Sequence, residues 1–166
     1  MEEIFLIIPG KPIAKKTHRT RAAVNWKCQT VQQFQWFPQR KEADSISILM
    51  RSQYKGPLID RSVYVRFEFY MPIPQRWNKA QKHKARTGIL HHMVKPDVSN
   101  LTKFYEDCMK GAILTDDSLI VWSPPIKLYD DNPRTEILIK PFDYEEYMRF
   151  QQTFPRRSLD DTREVA

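Results

Sequence analysis

Residues 95–120 read KPDVSNLTKFYEDCMKGAILTDDSLI. Pro96 disfavours helical geometry at Lys95, so Asp97 arrives on an extended segment and Ser99 is placed to cap a helix running from Asn100 to about Lys110. Gly111 supplies the stop. On that helix Leu101, Phe104, Tyr105 and Cys108 make one apolar stripe, while Asn100, Lys103 and Asp107 fall on a neighbouring polar stripe that borders the core. Asp97 at the helix entrance, Lys103 one turn up and Asp116-Asp117 in the following turn converge on one cleft if a sheet brings the turn back.

Upstream, Val63, Val65, Phe67, Phe69 and Met71 alternate strictly with Tyr64, Arg66, Glu68 and Tyr70, the clearest strand in the chain, ended by Pro72 and Pro74. Ile4 to Ile8 is a short apolar run closed by Pro9-Gly10, a buried strand and turn. Lys11 to Arg21 reads as a mobile basic loop. Phe34, Trp36 and Phe37 show no clear period, and core or interface is favoured over a base-stacking platform. Ala43, Ile46, Met50 and Tyr54 recur at helical spacing over about residues 40 to 55. Gln75 to Arg86 predicts a basic helix around Trp77 and Ala80. Downstream, Leu119 to Trp122 and Ile126 to Tyr129 are extended but interrupted by Pro124-Pro125, as at a sheet edge. Thr135, Ile137 and Ile139 alternate after the turn formers Asp130 to Pro133, which predicts a hairpin with the preceding strand. Residues 141–166 read as a docking helix and a frayed tail, beyond a domain spanning 1–140.

A length of 166 residues fits one domain of roughly 100 to 150 residues with an appended segment. With 41% hydrophobic and 12% aromatic residues the chain can build a core, which excludes global disorder. No apolar run approaches the roughly 20 residues that cross a bilayer, and Glu2 and Glu3 stand where a signal peptide is basic, so a soluble cytoplasmic protein is expected. Cys28 and Cys108 make neither a disulfide framework nor a zinc site. The net charge of +7 is divided unevenly: residues 1–95 carry +12 and residues 96–166 carry −5. A basic half holds phosphates, and an acidic cluster inside such a protein calls for a cation or a chemical task, which points to nuclease-like chemistry. A solvated basic face beside an acidic tail accounts for the charge alone equally well. The candidate phosphate contacts are Lys11, Lys15, Lys16, Arg19 and Arg21 in the loop and Arg76, Lys79 and Lys82 on the basic helix.

Two or more carboxylates from Asp97, Asp116 and Asp117 would hold Mg²⁺ through hard oxygen ligands, with Mn²⁺ as a substitute. The ion would polarise a phosphodiester, and Lys103 would stabilise charge on the transition state or leaving oxygen. Each residue also has a purely structural reading: Asp97 or Ser99 as a cap, Lys103 and Asp107 as an i, i+4 pair, Asp116-Asp117 as a turn. His18, His83, His91 and His92 carry no assigned role.

The segment resembles the signature of RusA-type Holliday-junction resolvases, approximately K-P-D-x-D-N-L-x-K followed by a helical aspartate, a glycine and a D-D pair before a strand. Lys95, Pro96, Asp97, Asn100, Leu101, Lys103, Asp107, Gly111, Asp116 and Asp117 follow that order. The resemblance extends more loosely over residues 4 to 140. It implies a small α+β domain with a mixed sheet, acting as a homodimer that binds four-way DNA junctions and makes paired, metal-dependent incisions in recombination and repair. It makes Asp97 and Asp117 metal-binding carboxylates, Asp116 a further candidate ligand, Lys103 the catalytic lysine, Asn100 a supporting residue, and Asp107 either a supporting residue or a solubilising one. No small-molecule cofactor or membrane is implied. Ser99 departs from the pattern, standing where the family carries a second aspartate, and would ligate Mg²⁺ through its hydroxyl or through water. The alternative is a non-catalytic junction-binding protein with a degenerate site.

Overall fold

The alternation at 63–71 forms the middle strand of a mixed sheet. The computed structural model describes residues 2–16, 19–25, 28 and 30–153, with backbone alone for 19–25 and 30–36. Among the described residues the order is β1 (Ile4–Pro9), β2 (Arg19–Asn25), β3 (Thr30–Trp36), α1 (Arg40–Gln53), β4 (Val63–Pro72), α2 (Lys79–Arg86), α3 (Val98–Met109), β5 (Ile120–Trp122), β6 (Pro125–Asp130), β7 (Arg134–Pro141) and α4 (Tyr144–Thr153). One 3₁₀ turn, Asp117–Leu119, precedes β5. The architecture is α+β.

β4 pairs antiparallel with β7, which pairs antiparallel with β1. The opposite edge of β4 is shared in line by β5 and β6, both parallel to it, with a register shift inside the β5 pairing, between Val63↔Ile120 and Tyr64↔Trp122. The expected hairpin between the last two strands is therefore not formed: β6 and β7 flank β4 on either side. Alternation fixes which face a strand buries but not its neighbour, and β4, as the strand with most of its residues buried, has backbone groups that need partners along both edges.

One face of the sheet presents Val63, Val65, Phe67, Phe69 and Met71 with Leu6, Ile8, Ile137 and Ile139, all buried. Met50 of α1 and Leu101, Phe104, Tyr105 and Cys108 of α3 join them in a single core. The other face is a polar lattice. Arg134 Nε lies 2.6 Å from Glu136 Oε1, the Arg134 guanidinium sits 3.8 Å from the Tyr70 ring centroid, and the Tyr70 hydroxyl donates to Glu68 Oε2 at 2.6 Å. Burial, followed by that bond to Glu68, pushes the Tyr70 phenol up to about 12. α4 closes this face at Trp122 through Tyr147 and Phe150, and Lys140 pairs with Glu146 at 2.6 Å. Residues from Phe154 onward, where the frayed tail was expected, lie outside the described residues, as does His18.

Two basic segments differ from expectation. The stretch 11–16 is stitched down rather than mobile: Ile13 N donates to the Tyr105 hydroxyl (3.2 Å), Lys15 N to Asn100 O (2.8 Å), and the Gln39 side chain accepts from Lys16 N (2.5 Å) and donates to Ala14 O (3.0 Å). Composition marked this loop as basic but gave no sign of the buried Gln39 and Tyr105 that hold its backbone. Arg19 and Arg21 lie in β2, which pairs with β3 as a separate two-stranded sheet. Phe34 and Trp36 lie in β3, and Phe37 packs half-buried against the core. The basic helix begins at Lys79, not Gln75, because Asn78 and Gln81 form a reciprocal capping box. Its anchors are Ala85 and, before it, Trp77 on Tyr129; Ala80 is exposed.

Candidate active site

α3 carries the site, and it starts two residues earlier than the expected Ser99 cap would allow. Asp97 follows the cis Lys95-Pro96 bond in an extended conformation and occupies the N-cap position, so Leu101 N donates to Asp97 O at 3.1 Å. Ser99 is then inside the first turn, past the point where a hydroxyl caps. The Asp97 carboxylate makes no capping bond and is exposed, as are Ser99 and Asn100. The approach to Asp97 is fixed by Lys127, whose ammonium donates to Val94 O (3.0 Å) and Pro96 O (2.8 Å). Beside that loop His92 is 8% exposed, tilted on the Tyr129 ring at 4.8 Å. Burial first, then the Lys127 charge, lowers its pKa, so the ring is held neutral.

Along the exposed side of α3 come Lys103, Glu106 and Asp107. Asp107 pairs with Lys15 at 2.6 Å. Beyond the helix Gly111, at φ +74°, reverses the chain, and Ala112, Ile113 and Leu114 are buried. This return places Asp116 and Asp117 around the Lys110 ammonium, at 2.5 and 3.1 Å. Asp116 also accepts from Ser118 N at 3.0 Å. The Lys110 hydrogen bond, then that of Ser118, holds the Asp116 carboxyl well below the usual carboxylate range, so its oxygens stay anionic.

The structure thus gathers Asp116 and Asp117 with Lys110 at the C-terminal end of α3, while Asp97 lies at its N-terminal end. Twelve helical residues at 1.5 Å each separate the two ends by roughly 20 Å. Among the described residues no three His, Cys, Asp or Glu side chains form a metal-holding group. The pair Asp116 and Asp117 nonetheless fits a hard divalent ion in its donor chemistry, since two anionic carboxylates already converge on one cation.

Glu106, half-buried on the same ridge, has its pKa raised by burial and then by the charges of Asp117 and Asp107, with Lys103 and Lys15 opposing. Because the folded chain holds this proton more tightly than the unfolded one, its ionisation removes stability as pH rises from the ordinary glutamate value, about 4.3, through the raised value. Glu106→Gln is therefore expected to raise Tm by on the order of 1 °C at pH 8, with no gain below about pH 4. Thermal unfolding at both pH values checks it; an equal shift at both would exclude ionisation as the cause.

Of the candidate phosphate contacts, Lys11, Lys16, Arg76 and Lys79 are exposed, Lys82 is half-buried and Lys15 is committed to Asp107. Arg19 and Arg21 have only their backbone described. A cavity of about 690 Å³ at the β1 edge, bordered by Phe5, Gln53, Tyr54 and Leu58, shares none of these residues.

A profile of endodeoxyribonuclease RusA matches residues 9–140, most of the chain. The chain belongs to the RusA family. RusA-family proteins are nucleases of the Holliday-junction resolvase type, acting on branched DNA, and the fold described above is the α+β, mixed-sheet fold that the resemblance implied. A relative from Bacillus subtilis strain 168, the uncharacterized protein YqaN, is 34% identical over 95 residues, which cover 55% of this chain and 67% of that protein. No described helix is long and apolar enough to cross a membrane.

Within this RusA-family chain, sequence reading passed over Glu106, Lys110 and Lys127. Glu106 and Lys110 were visible as charges next to the polar stripe, and a lysine just before the Gly111 stop is well placed to meet the returning chain. Lys127 carried no signal, because its role depends on β6 lying beside the loop that leads to Asp97.

Proposed function

We propose that the protein is a dimeric, Mg²⁺-dependent endonuclease that resolves four-way junctions by hydrolysing one phosphodiester at each of two symmetry-related sites. The observation that carries this reading is the pair of anionic carboxylates, Asp116 and Asp117, held beside the polar ridge of α3. Asp116 and Asp117 would hold the metal; Asp97 and Ser99, at the opposite end of α3, lie too far away to ligate the same ion. Bound there, a divalent ion supplies Lewis-acid polarisation of the phosphodiester and an acidified water.

The chain's own residues do the rest. Lys103 neutralises charge on the phosphoryl oxygens, Asn100 orients the backbone beside the cut, and Asp107 restrains Lys15 on the flank. Lys11, Lys16, Arg76, Lys79 and Lys82, with Arg19 and Arg21 on β2, would track the DNA backbone by charge. A two-fold dimer supports paired incision because it presents two identical sites to two like strands.

A second reading has a specific observation in its favour: Ser99 replaces an aspartate, and no three-carboxylate group is formed among the described residues. The protein would then bind junctions without cutting them. Incubation of a synthetic four-way junction with Mg²⁺ or Mn²⁺ separates the two. Symmetric nicking is expected for the natural chain, and a loss of at least about 100-fold for Asp117→Asn. Retained junction binding with no nicking under either metal would leave only the second reading.

A further inference from the structure

Lys110 is the C-cap of α3, and its ammonium occupies the space between the Asp116 and Asp117 carboxylates. Both sides of this contact are held from below. Ala112, Ile113 and Leu114 each donate a backbone hydrogen bond to Met109 O, and the chain is tied to Ile59 by Ile59 N to Ile113 O and Thr115 N to Ile59 O, each 2.9 Å. Lys110 is not what shapes the turn. Asp116 accepts from Ser118 N at 3.0 Å, and Leu119 N donates to Asp116 O at 3.4 Å, so the 3₁₀ turn has its own bonds. The lysine therefore answers a charge demand: two adjacent carboxylates, with Glu106 and Asp107 on the neighbouring ridge, repel one another unless a cation lies among them.

We propose that the Lys110 ammonium competes with a divalent cation for Asp116 and Asp117, acting as an internal counter-ion that the metal must displace. This rests on Asp116 and Asp117 being metal ligands. The two carboxylates cannot accept the ammonium and an ion at the same oxygens, and a dication placed beside a retained ammonium is repelled by it. Metal loading is then weaker than the carboxylates alone would give. Exposed pairs of this kind are modest individually, so the expected weakening is about tenfold.

Mn²⁺ binding to the full chain, read from loss of the free-ion electron paramagnetic resonance signal, tests this without any cleavage assay. Lys110→Ala is expected to bind Mn²⁺ about tenfold more tightly than the natural chain. Lys110→Met, which keeps the apolar stem, should behave alike, and circular dichroism checks that both fold. Asp117→Asn should weaken binding in the natural background and cancel the gain in the Lys110→Ala background. Equal or weaker binding in both Lys110 variants, with Asp117→Asn still weakening it, overturns the competition and leaves the ligand assignment standing. Binding indifferent to Asp117→Asn in both backgrounds overturns the two together.

Discussion

Lys103→Met is expected to slow junction cleavage by about 100- to 1,000-fold while changing affinity for the uncut junction only a few-fold. The basis is which cations on this side of α3 are already engaged. Lys15 is paired with Asp107 and Lys110 with Asp116 and Asp117, whereas Lys103 is exposed and makes no ion pair within 4 Å among the described residues. Lys103 lies on the exposed side of α3 close to Glu106 in the chain, and its charge opposes the rise in the Glu106 pKa. A cation held there by a helix needs little reorganisation when charge develops on phosphoryl oxygens, and so acts mainly on the transition state. Single-turnover cleavage beside a band-shift titration reads the two quantities separately. Lys103→Arg should recover part of the rate. If binding and cleavage fell together by the same factor, Lys103 would be a backbone tether and not a catalytic group.

How far the sequence could be read depended on the range of the interaction involved. The strand at 63–71 and the helix over 98–109 were legible because burial repeats with a local period: Phe67 and Phe69 alternate, and Leu101, Phe104, Tyr105 and Cys108 recur around one helical face, all of them buried. Sheet order was not legible. Nothing in the residues of β6 and β7 reports that β4 lies between them, since pairing is decided by how the edges of β4 are satisfied. The same holds at the site. Asp97, Lys103, Asp116 and Asp117 stood out as residue types at a telling spacing, but which carboxylate meets which cation depends on where Gly111 turns the chain. That turn delivers Asp116 and Asp117 to Lys110 and not to the helix entrance. The basic loop misled for a related reason. Charge density suggested mobility, while the deciding bonds were made by Gln39 and Tyr105, distant in sequence and unremarkable in type.

Phe69→Ala is expected to cost about 3–5 kcal/mol of folding stability. Phe69 is fully buried at the centre of β4, its ring 5.8 Å from Phe67 and 5.7 Å from Tyr105. Removing it takes away apolar area and leaves a void bounded by a strand and a helix, neither of which can move inward without breaking the pairing of β4 with β6 and β7. For a chain of this size the loss corresponds to a fall in Tm of about 6–20 °C. The damage also reaches the site by a physical route. Tyr105 is the α3 residue that rests on Phe69, and its hydroxyl holds Ile13 at 3.2 Å, next to the Lys15 that pairs with Asp107. Slackening Tyr105 should loosen the 11–16 segment, so proteolysis within it is expected to accelerate in the variant at temperatures where the rest of the chain is still folded. Calorimetry together with limited proteolysis measures both. Lys103→Met, at an exposed position with no ion pair among the described residues, should leave Tm within about 1 °C of the natural value, because surface changes away from buried contacts rarely exceed about 0.5 kcal/mol. A Phe69→Ala cost below about 1 kcal/mol would mean that β4 does not sit at the centre of the core, and the platform on which α3 presents its charged ridge would have to be drawn again.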